Sequence, residues 1–108
     1  MKHPLVQAAC LLLLLSAIPA VPARGDDAAG LYKAKCAGCH AANGAGDTAV
    51  GKALKVRDLR SPDVQNQSDA ELTAIITGGK DKMPAYKGKL DDGQIKSLVG
   101  YIRELAKK

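Results

Sequence analysis

The sequence predicts an all-α domain, and three observations carry that reading. Apolar residues recur at three- and four-residue steps, with no convincing alternation of a strand. Helix-start signals precede the two most periodic segments, and Gly-rich stretches follow or separate them. The domain is also short: once an apolar leader is set aside, residues 24–108 remain.

The leader comes first in the chain. Met1, Lys2 and His3 precede an apolar stretch from Leu5 to Val21, centred on Leu11 to Leu15 and closing in "SAIPAVPARG". A basic start, an apolar middle and a small-residue end are the anatomy of a secretory signal peptide. Val21-Pro22-Ala23 places small residues at both recognition positions, so cleavage is expected after Ala23, with Gly25 as second choice. A retained anchor is the rival, but Gln7, Ser16 and Pro19 interrupt the stretch, which falls short of the ~20 apolar residues of a spanning helix. Cys10 lies inside the apolar run and would leave with it, ahead of most of the leucines rather than in the position of a lipidated cysteine.

In the remaining domain, Asp26 or Asp27 is positioned to cap a helix through Ala28, Leu31 and Tyr32 toward Cys36. "AANGAGD" reads as a loop, followed by a short helical turn around Val50 to Leu54 and a looser stretch through Pro62. Ser68 and Glu71 have capping-box spacing and open a helix that Gly78-Gly79 stops. The charged loop "KDKMPAYKGK" comes next. Asp91 and Gln94 begin the last helix, whose apolar face is Ile95, Leu98, Val99, Ile102 and Leu105. Lys107 and Lys108 then sit at its negative dipole end.

Composition narrows the function. The chain has no Phe or Trp and only three tyrosines, Tyr32, Tyr86 and Tyr101. A domain this small is near the limit at which apolar burial offsets chain entropy, so a large bound apolar group is expected. Without Lys2 the balance is 15 basic against 11 acidic residues, a net +4. With no basic aromatic cluster, nucleic acid is not a predicted partner; an acidic protein surface is.

The chemistry concentrates in "KCAGCH", where Cys36, Cys39 and His40 lie within five residues. A thiol–disulfide switch needs a Cys-x-x-Cys pair opening a helix in a βαβ setting. This pair falls near the end of the first helix with no strands around it, and a structural disulfide would close only a small loop. Zinc needs at least three convergent ligands, and no second cluster completes the adjacent Cys39 and His40. Covalent haem accounts for all three: cysteines three apart share one face of a helical turn, and Cys-x-x-Cys-His is the signature of this attachment. The export signal agrees with that reading.

For the opposite face of the iron, no other histidine survives leader removal, and Met83 is the only remaining methionine. A gap-filling core methionine is the plainer alternative. However, Met83 stands between Lys82 and Pro84, off any periodic face, and the proline pushes it toward the extended geometry of a loop ligand. His/Met pairs are an established haem ligation.

These residues resemble the class I c-type cytochromes. "CAGCH" matches the haem-binding motif, "KMPAYKGKL" the segment of the sixth ligand and "LVGYIREL" the C-terminal helix, in order across residues 24–108. The resemblance implies the cytochrome c fold, with three to five short helices and loops wrapped around one covalently bound haem c. It implies Cys36 and Cys39 as thioether anchors, His40 and Met83 as axial ligands, and a monomeric, soluble periplasmic carrier of single electrons rather than an enzyme. It also places Tyr32 against Leu98 and Tyr101, with Ala28 and Gly100 as the small residues where the terminal helices cross. Many relatives carry a proline whose carbonyl receives the proximal histidine's ring N–H; here Arg57 stands where it is first sought, and Pro62 lies further on. Lys33 and Lys35 flank the motif, while Lys80, Lys82, Lys87 and Lys89 surround Met83, a basic collar suited to an acidic redox partner. The rival readings are a haem enzyme or gas sensor with a labile sixth ligand, and a subunit held to a membrane by an uncleaved leader.

Overall fold

A computed structural model describes residues 23–108. The leader, residues 1–22, lies outside the described residues. Six helical segments follow in order: α1 (Ala23–Lys35), α2 (Ala37–His40), α3 (Ala49–Leu54), α4 (Pro62–Gln65), α5 (Asp69–Gly78) and α6 (Asp92–Leu105). That exceeds the expected three to five because α2 and α4 are single turns of four residues each. Among the described residues there is no strand, only isolated bridges pairing Lys80 with Met83 and Lys87 with Leu90.

Local chemistry sets most of the boundaries. Ser68 and Glu71 form a complete capping box on α5, and Asp91 and Gln94 form another on α6. Thr48 caps α3 by accepting from the Gly51 amide, and Pro62 starts α4 where its missing N–H costs nothing. Two expectations shift. The helix of α1 begins at Ala23, so Asp26 and Asp27 lie within it rather than at its cap, and the stretch around Pro62 contains the turn α4.

The core forms where α1 crosses α6 and α5 packs alongside. All five apolar positions of the α6 face are buried. Tyr32, Ile95 and Leu98 are the largest fully buried side chains, and the Tyr32 and Tyr101 rings meet at 5.0 Å between centroids. Burial of a side chain such as Leu98 stabilises by roughly 2 kcal/mol. Ala28 is buried on α1 as expected, but Gly100 is exposed, and a Cβ there would meet nothing within 4 Å. The crossing therefore does not use the glycine; Leu98 and Val99 are the buried residues beside it on α6.

A second tie holds α6 to the middle of the chain. The Arg103 guanidinium donates to the carbonyls of Gln65 (3.0 Å) and Gln67 (2.6 Å) and to the Asp69 carboxylate (2.9 Å). Gln65 Nε2 in turn donates to the carbonyls of Leu59 (2.7 Å) and Ile102 (3.2 Å). These bonds satisfy carbonyls of the loops (Leu59, Gln67) and near helix ends (Gln65, Ile102), and they fix the segment between α3 and α5 over the core.

Candidate functional site

A cavity of about 290 Å³ opens between the two halves of the chain. Cys36, Cys39 and His40 lie on its wall, and Met83 and Pro84 line it as well. The four candidate site residues, separated by more than forty positions in sequence, are thus brought to one cavity. The rest of its lining is largely aliphatic, with Leu59, Val64, Leu72, Ile76 and Leu98 prominent.

The His40 side is built by α1 and the turn α2. Cys36 N donates to the Tyr32 carbonyl (2.8 Å), and His40 N donates to that of Cys36 (2.9 Å), so the attachment segment continues the helix with a small offset. Three successive carbonyls beyond it are then taken from outside: Cys39 by the Thr48 hydroxyl (2.9 Å), His40 by Gly46 N (2.8 Å), and Ala41 by the Tyr32 hydroxyl (2.6 Å). A Cβ at Gly51 would strike the Cys39 carbonyl, so only glycine lets α3 approach this segment. Burial lowers the pKa of His40, favouring the neutral imidazole that binds a metal.

The Met83 side is built by a turn beyond α5. Gly79 ends the helix at φ 74°, and Lys80 and Met83 exchange both backbone hydrogen bonds (3.2 and 2.9 Å) across Asp81, which has φ 52°. Met83 is half-buried, whereas Pro84 and Ala85 are exposed.

The site discriminates among the three chemistries. Burial, and secondarily the Cys39 thiol, pushes the Cys36 thiol up to about 11, opposite to the lowered pKa of a redox-active cysteine. Among the described residues no three His, Cys, Asp or Glu side chains converge as metal ligands. Haem fits the wall. Besides two cysteines, an imidazole and a thioether around an apolar cleft, there are two buried polar atoms without a partner, His40 Nδ1 and Gln67 Oε1, and both residues line this cavity. Haem would give the imidazole and the thioether an iron, the aliphatic wall an apolar ring, and the Lys55 and Arg57 cations of the same lining two carboxylates.

The family described as cytochrome c oxidase, cbb3-type, subunit III matches residues 23–102. Cytochrome c6 of Leptolyngbya boryana is 40% identical over 87 residues, covering 77% of this chain and 96% of that one. The chain is a small class I c-type cytochrome. A solved structure, the KustC0563 c-type cytochrome, superposes with a TM-score of 0.67 at 29% identity, covering 72% of this chain and 95% of that one. The cbb3-type cytochrome c oxidase subunit CcoP of Azospirillum brasilense is 38% identical over 90 residues, although the match spans only 30% of that larger protein. Membership makes this cytochrome a monohaem electron-transfer protein with covalently bound haem c, exchanging electrons with redox partners, and not an enzyme.

Several residues of the cytochrome's site escaped sequence reading. Lys55 and Arg57 line the cavity beside Lys35, Lys80 and Lys82, whereas Lys33, Lys87 and Lys89 are exposed away from its lining. Gln67 carried no motif; its place before the capping box was the only hint. No described residue pairs with His40 Nδ1, Arg57 and Pro62 included.

Proposed function

We propose that Cys36 and Cys39 anchor the haem as thioethers and that His40 and Met83 are its two axial ligands. The single observation that carries this is the one cavity on which all four side chains border. Bound there, haem supplies a one-electron Fe(III)/Fe(II) couple. Met83 offers a soft, neutral sulfur, which favours the reduced state and raises the potential over bis-histidine ligation. His40, neutral in its buried setting, would offer Nε2 to the iron while Nδ1 keeps the ring proton. Leu59, Val64, Leu72 and Ile76 keep water off the ring, in the same direction as the thioether. With His40 and Met83 both holding the iron, the chain would leave no open position for oxygen or substrate, which suits a carrier. Gln67, Lys55 and Arg57 are the polar cavity groups suited to the haem carboxylates.

The experiment is a redox titration of the purified holoprotein followed by visible absorption. A low-spin oxidised form with a thioether–iron charge-transfer band is expected, and Met83→Ala should abolish that band while leaving haem attached. A high-spin oxidised wild type, or rapid carbon monoxide binding on reduction, would favour the enzyme or sensor.

Location and docking belong to the same reading. Among the described residues no helix is long and apolar enough to cross a membrane; the leader pattern is what supports a periplasmic domain released by cleavage after Ala23 or Gly25. N-terminal sequencing of the exported protein reads that boundary. Lys35, Lys80 and Lys82, joined by Lys55 and Arg57, rim the cavity and form a basic edge for an acidic partner; Lys33, Lys87 and Lys89 extend the charge outward. Electron transfer with an acidic partner should slow steeply as salt is added, and rates indifferent to salt would remove the docking reading.

A further inference from the structure

The Met83 turn is bonded largely to itself, through the paired Lys80 and Met83 backbone groups. Its ties to the rest of the molecule gather at Tyr86. The Tyr86 amide donates to the Ile76 carbonyl on α5 (3.0 Å), followed by Lys87 N to Thr77 O (3.0 Å). The Tyr86 hydroxyl reaches the other way and donates to the Lys35 carbonyl at 2.9 Å, across 51 positions of sequence. Lys35 immediately precedes Cys36, and Tyr86, Met83 and Cys36 pack against the same apolar cluster. One side chain therefore joins the two segments that carry the candidate ligands, at the edge of the cavity both line.

We propose that Tyr86 is a positioning residue for the sixth ligand: its hydroxyl straps the Met83 turn to the attachment segment and so holds the thioether in place. The proposal rests on the His40/Met83 reading above. Swinging Met83 away from the cavity moves the turn away from α1, and the Tyr86–Lys35 bond must break as it does so. The bond lies at the surface, so water replaces the lost partner and the effect of removing the hydroxyl is modest rather than unfolding. A phenylalanine at 86 keeps the ring packing and removes only the strap.

Imidazole binding to the oxidised holoprotein provides the test, because external imidazole takes the iron only in molecules whose methionine has left. Apparent affinity scales with that open fraction. Tyr86→Phe should therefore bind imidazole about fivefold more tightly, the equivalent of one ordinary hydrogen bond. Ser68→Ala serves as the comparator: it removes the α5 cap at comparable cost to global stability, far from the turn, and should leave imidazole affinity unchanged. An unchanged affinity in Tyr86→Phe, or an equal rise in both variants, overturns the strap. A wild-type oxidised spectrum lacking the thioether–iron band instead overturns the Met83 assignment and the strap with it, so the two failures are told apart before any variant is compared.

Discussion

The chain leaves His40 and approaches Met83 through nearly the same backbone conformation. Ala41, directly after His40, has φ 67° and ψ 161°, and Gly79, four residues before Met83, has φ 74° and ψ 169°. That region of backbone space is essentially reserved for glycine. The Met83 side uses glycine, and the His40 side uses alanine. The difference follows from what surrounds each residue. The Ala41 carbonyl is held by both the Tyr32 hydroxyl and Gly44 N, in a buried setting on the α1–α6 core. Such a neighbourhood can impose a strained conformation on an alanine. Around Gly79 the next segment is an exposed turn bonded mainly to itself; it holds Asp81 only in the left-handed region that aspartate tolerates, and nothing encloses residue 79 as Ala41 is enclosed. One side of the cavity is thus fixed by its surroundings and the other by its own sequence, so on the proposed ligation the Met83 side is the one more easily loosened.

The sharpest way to break this contrast is Gly79→Ala. The new Cβ would lie 2.7 Å from the Met83 carbonyl and 2.9 Å from Ala85 N, both backbone atoms that cannot step aside as a side chain would. Strain and clash together predict a loss of about 2–3 kcal/mol, most of it in the turn. Urea unfolding measures the total, and the thioether–iron band should weaken at denaturant concentrations where the α-helical signal is still intact. Loss of both signals in a single coincident transition, at the wild-type midpoint, would show that the turn tolerates a side chain and that its glycine is incidental.

The same contrast explains what could be read from the sequence. Features that depend on neighbours within a few residues were legible: the Cys36-Cys39-His40 motif, the capping boxes at Ser68 and Asp91, the α6 stripe and the Gly stop after α5. Elimination pointed to Met83, which the structure brings to the same cavity wall, and the Tyr32–Tyr101 contact was legible through family resemblance. What was not legible depends on long-range geometry. Gln67 on the cavity wall is set by packing, while Arg103 reaching Gln65 and Gln67 and the Tyr86 hydroxyl on Lys35 join positions tens of residues apart, through backbone carbonyls that every residue possesses. Sequence records no preference for a carbonyl partner. Gly100 failed for the opposite reason, because a small residue near a crossing was assigned to it without the rotation of α6 that turns it to solvent.

The smaller effect is expected at the other site and has the opposite sign. In Ala41→Gly the backbone no longer carries the strain of a Cβ at φ 67°, a relief of about 1–3 kcal/mol. Against this stands the larger conformational entropy that glycine loses on folding, about 1 kcal/mol, and the small apolar contact of a buried methyl group. The balance favours the variant by up to about 1 kcal/mol, read as a higher urea midpoint at unchanged slope. The gain should leave the thioether–iron band and imidazole affinity as they are, since it acts on the His40 side. A lower midpoint would mean that the Ala41 methyl contributes more through packing than the conformation costs. The tight Tyr32–Ala41 bond would then mark a well-packed corner rather than a strained one. Only the higher midpoint supports the contrast with Gly79, because backbone strain persists only where surrounding bonds hold it.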